Sequence, residues 1–222
     1  MNILNYEAIK VDSLEEIISS QREIMFSFEP NLKKRVEEFD IDIYEDQMLL
    51  KEFLLERTVE EITEAYTAFK VQHYEHYLEE IVDVFNFLIE THILLENIVI
   101  NDQACLDNIY NSFKLYEKHI KLSDYLYDVE NRVDPINICQ DKIKPDLFDI
   151  IQSIGELTNL LKQRPWRESQ YPVDLLTFKN RWIEVINLFL NTLIVQGIGF
   201  DILSNIWSKK YQVNKFRIES NY

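Results

Sequence analysis

Glycine and proline are nearly missing, with three and five in 222 residues. A chain so poor in turn formers reads as long helices with short joints, and not as a β-rich or Rossmann protein. Neither G-x-G-x-x-G nor G-x-x-x-x-G-K-[ST] occurs, so any phosphate would have to be held by side chains and metal. Positive charge is also short: 23 Lys plus Arg stand against 39 Asp plus Glu, a net charge of −16. This argues against nucleic-acid binding, which draws affinity from cationic surface. A small nucleotide stays acceptable, because a metal can meet its charge. The two cysteines, Cys105 and Cys139, lack metal spacing and suggest no disulfide framework, so free thiols in a reducing compartment are expected. No apolar run reaches membrane length, and the start, MNILNYEAIK, has no apolar stretch flanked by positive charge. The expectation is a cytoplasmic protein with no membrane partner.

What is present is apolar, at 46%, and aromatic, at 13%, enough for one folded domain with a sizeable core. The stretch ERTVEEITEAYTAFKVQHYEHYLEEIVDVFNFLIETHILL carries two matched acid pairs, Glu61 with Glu64 and Glu80 with Asp83. Three-residue spacing puts each pair on one helix face, about a turn apart. An E-x-x-E in so acidic a chain is ordinarily a solvated face. On a helical wheel, however, Glu61 lies between Leu54 and Ala68, and Glu80 and Asp83 lie beside Phe87 and Leu94. Glu60 and Glu79 fall among Glu56, Thr67, His76 and Glu90 and read as the solvated pair. Two antiparallel helices would gather four carboxylates, which at about 5 Å repel by roughly 3 kcal/mol per pair at an effective dielectric near 20. A cation relieves that cost, and hard oxygen ligands without thiolate point to Mg²⁺, with Mn²⁺ the alternative.

Ser13-Leu-Glu-Glu16 reads as a capping box opening a helix that ends before Pro30. From Gln47 to about Phe69, the set Leu55, Val59, Ile62, Tyr66 and Phe69 recurs at helical period, and a second helix runs from Tyr77 to about Asn97. The joint between Lys70 and His76 has no Gly or Pro, and one unbroken helix would hold Glu61 and Glu80 about 28 Å apart. Gly197 and Gly199 read as a helix C-cap and joint. The last helix, from about Asp201 to Phe216, carries Lys210, Asn214 and Arg217 on one face. Lys162, Arg164 and Arg167 beside Trp166 form a basic patch that is a candidate phosphate contact.

The segments V59-E-E-I-T-E-A and L78-E-E-I-V-D-V-F-N-F-L resemble the E-x-x-E and E-x-x-D signature of the all-α nucleoside triphosphate pyrophosphohydrolases, the superfamily of MazG and the dimeric dUTPases. The ending W207-S-K-K-Y-Q-V-N-K-F-R-I-E-S-N-Y222 resembles Y-x-x-K-N-x-x-N-x-x-R-Q-x-x-G-Y of dimeric dUTPases and phage dCTP/dUTP pyrophosphatases, matching at Lys210, Asn214, Arg217 and Tyr222. It departs at Trp207, Tyr211, Ile218 and Asn221, and Asn86 stands where a histidine is usual.

The resemblance implies an all-α helical bundle that turns between the two acidic helices. Three segments follow within one integrated domain. Residues 1–97 hold the catalytic pair, 98–146 are a variable helical insertion, and 147–222 hold a degenerate second pair and the nucleotide-binding end. In the worn copy Ser153 and Glu156 stand for Glu61 and Glu64, while Glu184 and Asn187 stand for Glu80 and Asp83. The implied activity is hydrolysis of dUTP to dUMP and pyrophosphate, with dCTP or another dNTP, or a catalytically weak regulatory relative, as alternatives. Glu61, Glu64, Glu80 and Asp83 would be metal ligands and catalytic groups, Glu64 directing the water. Gln21, Asn86, Lys162, Lys210, Asn214, Arg217 and Tyr222 would bind the nucleotide. The family's assembly implies a homodimer, for which Ile183, Ile186, Phe189, Leu190, Leu193 and Ile194 offer an apolar run.

Overall fold

The computed structural model describes residues 7–11, 13–100, 102–105, 107–112, 140–162, 166 and 171–220. Among them every regular element is a helix, as the scarcity of turn formers predicts. Most of the expected insertion, with His119 and Cys139, lies outside the described residues.

Helix α1 (Leu14–Phe28) starts at Ser13, whose side chain accepts from the Glu16 amide at 3.2 Å. Pro30 opens α2 (Pro30–Glu37), where its missing N–H costs nothing. A continuous helical path then runs through α3 (Tyr44–Lys51), a π-helical segment (Glu52–Thr58) and α4 (Val59–Lys70). The wider π turn shifts the buried face, which overturns part of the periodicity reading. Leu55 is 41% exposed, while Phe53 and Leu54 are fully buried. Thr58, also buried, spans the widened turn by donating its hydroxyl to the Phe53 carbonyl at 2.7 Å.

The chain does turn between the acidic helices, without glycine. Gln72 takes a left-handed φ of 60°. The Gln72 amide donates to the Phe69 carbonyl at 3.0 Å and the His73 amide to Ala68 at 2.9 Å, the paired bonds of a Schellman cap. The same pair of bonds recurs at Gly197, φ 69°, where Gly197 and Ile198 donate to Ile194 and Leu193 at 3.0 and 2.9 Å. Only the second joint has the residue suited to that backbone. Gln72→Gly is therefore expected to stabilise the protein by about 1 kcal/mol, raising Tm by about 2 to 4 °C in a scan. A lower Tm would show that the Gln72 side chain contributes more than its backbone strain costs.

Helix α5 (Tyr74–Leu94) is central: α4, α1, the π segment and α9 (Phe200–Glu219) pack around it. From Glu80 to Leu95 every residue is buried except Asp83 and Phe87. These two lie four apart, so the helix is open along a single stripe. Short α6 (Glu96–Ile100) follows, with helical residues at 103–105 and 107–112. Helices α7 (Gln140–Thr158) and α8 (Leu175–Val195) form a second packed pair, and α8 starts at Asp174, which caps the Thr177 amide at 3.2 Å. Phe85 of α5 stacks on Phe189 of α8 with centroids 6.2 Å apart, joining the two pairs through one core that extends from Leu14 to Trp207.

Of the apolar run expected to face a twin subunit, Ile186, Phe189, Leu190 and Leu193 belong to this chain's own core, and only Ile194 is exposed. No single helix among the described residues is long and apolar enough to cross a membrane; α8 and α9 pass that test only together, across a 106° bend.

Candidate functional site

The Gln72 turn brings α4 and α5 antiparallel, and with them three of the four expected carboxylates. One oxygen each of Glu61, Glu64 and Glu80 lies within 4.8 Å of the others. Glu80 is buried, Glu61 half-buried and Glu64 open to solvent. Burial first, then a shared hydrogen bond with Glu80 and the charges of Asp83, Glu80 and Glu64, push the Glu61 carboxyl up to about 8. In the absence of a cation Glu61 thus keeps a proton and donates it to Glu80, whose own pKa is raised by burial. His76 braces the other side of Glu80, with Nδ1 2.9 Å from its carboxylate. The wheel assigned His76 to the solvated face and missed this contact. Three converging hard oxygens that retain a proton against mutual repulsion are a donor set that a divalent cation fits.

Cation and proton compete for these oxygens, which fixes a pH dependence. Glu61, at about 8, and Glu90, pushed up by burial to about 7, lie above the unfolded carboxyl value of about 4.3. Between those limits the folded state holds protons that the unfolded state has released, so stability falls as pH rises. His92, buried and held down to about 4, acts oppositely below pH 6.5 or so. The clean window is therefore about pH 6.5 to 8. There Tm without metal should fall with pH, the fall should shrink with saturating Mg²⁺, and Mg²⁺ affinity should rise with release of about one proton. Equal Mg²⁺ affinity at pH 6.5 and 8 would mean that the cation does not displace the Glu61 proton.

Asp83, the fourth expected ligand, is directed elsewhere. It pairs with the Lys210 ammonium, which also donates to the Glu79 carbonyl at 2.9 Å, and it accepts from Asn86 Nδ2 at 3.3 Å. Lys210 therefore rests on an acid of α5 in this structure and ties α9 to it.

Asp83 also forms one wall of a cavity of about 210 Å³ whose lining includes Gln21, Phe28, Asn86, Phe87, Glu90 and Asn214. Three expected nucleotide contacts from three helices thus meet here. Gln21 is not a solvated surface residue: it is 4% exposed and donates to Glu90 at 2.8 Å. Glu90, read from the wheel as part of the solvated face, is 7% exposed because α1 covers that side of α5. Arg57, from the π segment, also lines the cavity and is paired with Glu52 and Glu29 at 2.6 and 2.9 Å. Neither Glu90 nor Arg57 had a sequence signal, since an all-round apolar helix and a π register shift both defeat the wheel. A larger open groove of about 670 Å³ lies along α2 and α3, but its acidic lining includes none of the expected site residues.

On α9, Arg217 is exposed and touches Asn214 at 3.4 Å. The departures Trp207 and Tyr211 are four apart and stack on each other with centroids 5.2 Å apart, so they are a packed pair. Tyr222 lies outside the described residues, as do Arg164 and Arg167. Lys162 is exposed just past Leu161, whose carbonyl accepts from Lys51 at 2.9 Å.

In the second helix pair Arg181 lies 3.1 Å from Glu156 and 2.7 Å from Glu184. Compared with protein-family models, with curated proteins and with solved structures, the chain gives no match.

Proposed function

We propose that this protein is a Mg²⁺-dependent nucleoside triphosphate pyrophosphohydrolase that converts a pyrimidine deoxynucleoside triphosphate to its monophosphate and pyrophosphate. What supports the reading most is the position of Asp83. It stands beside the acid cluster and lines the cavity, so a nucleotide with its base in the cavity would lay its phosphates toward the carboxylates. Glu61, Glu64 and Glu80 would hold the cation, with Asp83 joining when Lys210 leaves it. When bound, the cation offsets charge on the phosphates and lowers the pKa of a water. Glu64, the open member of the cluster, is suited to orient that water and accept its proton as the oxygen attacks the α-phosphorus and pyrophosphate departs. Lys210 and Arg217 would neutralise the phosphate oxygens.

By resemblance the substrate is dUTP; dCTP is the second reading, favoured by the acceptors that line the cavity. A homodimer is proposed with this activity on the resemblance alone, since most of its expected interface run is used inside the subunit. The test is pyrophosphate release from each dNTP with Mg²⁺. Turnover of one pyrimidine dNTP to its monophosphate is expected, and no release from any dNTP would overturn the reading.

A further inference from the structure

Glu80 is the buried member of the acid cluster, and two neighbours hold its carboxylate. Glu61 hydrogen-bonds to it from α4, and His76, one turn back on α5, places Nδ1 2.9 Å from Oε1. A divalent cation at the cluster competes with the Glu61 proton, because both need the same oxygens. His76 is not one of the three residues whose oxygens converge, and a carboxylate oxygen has two lone pairs, so its bond to Oε1 can stay when a cation arrives.

The orientation of the imidazole follows from its partner. The Glu80 carboxylate accepts, so the ring hydrogen sits on Nδ1 and Nε2 is left toward solvent. Glu79, the other acid near the ring, is 3.9 Å from Nδ1, beyond hydrogen-bonding reach, which commits this N–H to Glu80. The ring is itself located. His73 meets it edge-on with centroids 5.6 Å apart, and the His73 amide belongs to the cap at Gln72 that turns the chain. The joint that brings α4 onto α5 therefore also supports the imidazole beside Glu80. A glutamate loses side-chain freedom when it takes a cation, and an outer partner that has already fixed it removes part of that loss.

We propose that His76 is a positioning residue for the acid cluster, its Nδ1–H holding the Glu80 carboxylate in the orientation that a divalent cation needs. The inference rests on reading the cluster as a metal site and adds an outer residue to it. His76 lies outside both the E-x-x-E and E-x-x-D segments and outside the C-terminal motif.

The test is calorimetric titration of Mg²⁺ into the metal-free full chain at pH 8, near the Glu61 value, on the wild type, His76→Ala and His76→Asn. The metal-free Tm and the Mg²⁺ dependence of pyrophosphate release are measured beside it. Asparagine offers an N–H near the place of Nδ1, and alanine offers none. His76→Ala should weaken Mg²⁺ binding by about 10 to 100-fold, the usual effect of losing an outer partner, and raise the Mg²⁺ needed for half-maximal activity by the same factor. Because the His76 side chain is 46% exposed, the metal-free Tm should stay within about two degrees, and kcat at saturating Mg²⁺ within about threefold. His76→Asn should bind Mg²⁺ within about threefold of wild type, a rescue that follows from the hydrogen bond alone. Unchanged Mg²⁺ affinity in His76→Ala, or equal weakening in both variants, overturns the inference while Mg²⁺ binding and turnover by the wild type keep the enzymatic reading. The expected ranking of Mg²⁺ affinities without pyrophosphate release from any dNTP supports the inference and overturns the enzymatic reading. Absence of Mg²⁺ binding by the wild type overturns both.

Discussion

Glu80→Gln should abolish Mg²⁺-dependent pyrophosphate release to within background, a loss of about 10³-fold or more, while the helical fold stays intact. Glu80 is the buried centre of the acid cluster, taking a hydrogen bond from Glu61 and touching His76 at 2.9 Å. Glutamine keeps its size and can still hydrogen-bond to both neighbours, but it brings no charge to a cation. Several kcal/mol of phosphate charge stabilisation go with the cation, and each 1.36 kcal/mol is a factor of ten. Loss of one charge from a repelling cluster should not lower the metal-free Tm. A metal at about a hundred times its Kd stabilises by about 2.7 kcal/mol, so wild-type Tm should rise by about 5 to 10 °C in excess Mg²⁺ and the variant's should not move. Turnover within a few-fold of wild type would remove the cluster from the chemistry.

Lys210 and Arg217 separate a phosphate contact from a structural one, because Lys210 is tied to α5. The Arg217 side chain is exposed, and its one hydrogen bond among the described residues is to Asn214 on its own helix. Arg217→Ala should therefore leave Tm within a degree or so and still lower kcat/KM by about 10² to 10³-fold, the effect of removing one donor from a charge developing on phosphate. Lys210→Ala should show at least that kinetic loss. It should also cost about 1 to 2 kcal/mol of stability, because the half-buried Asp83 carboxylate loses its cation and α9 loses a tie to α5. Unchanged kcat/KM in Arg217→Ala would reduce the C-terminal motif to an ordinary basic helix end, favoured by the helix dipole alone.

The acid pairs were legible because three-residue spacing on a helix dictates a shared face whatever surrounds it, and Glu61, Glu64 and Glu80 do converge. The Ser13 cap and the Gly197 joint were legible for a similar reason, since each is a local backbone requirement met by a local residue. Gln21 had a position but no environment: nothing in the first helix says that its amide meets Glu90 across the core. The all-helical character of the chain and the shared face of Lys210, Asn214 and Arg217 follow from composition and period alone, whereas of the expected acid quartet only Glu61, Glu64 and Glu80 come together.

Tertiary structure decided the rest. Gln72 adopts a glycine-like backbone because packing of α4 on α5 outweighs about 1 kcal/mol of local strain. The π segment turns Leu55 outward and Arg57 toward the cavity, a rotation that a fixed 3.6-residue period cannot register. Asp83 is given to Lys210, and Arg181 is paired with Glu156 and Glu184, through contacts between charges. Glu90 is the clearest case. Periodicity sorts residues by the polarity of neighbours on the same helix, and on a helix enclosed from nearly every side that sorting has no meaning, so whether a carboxyl is solvated or buried depends on which other helix lies over it.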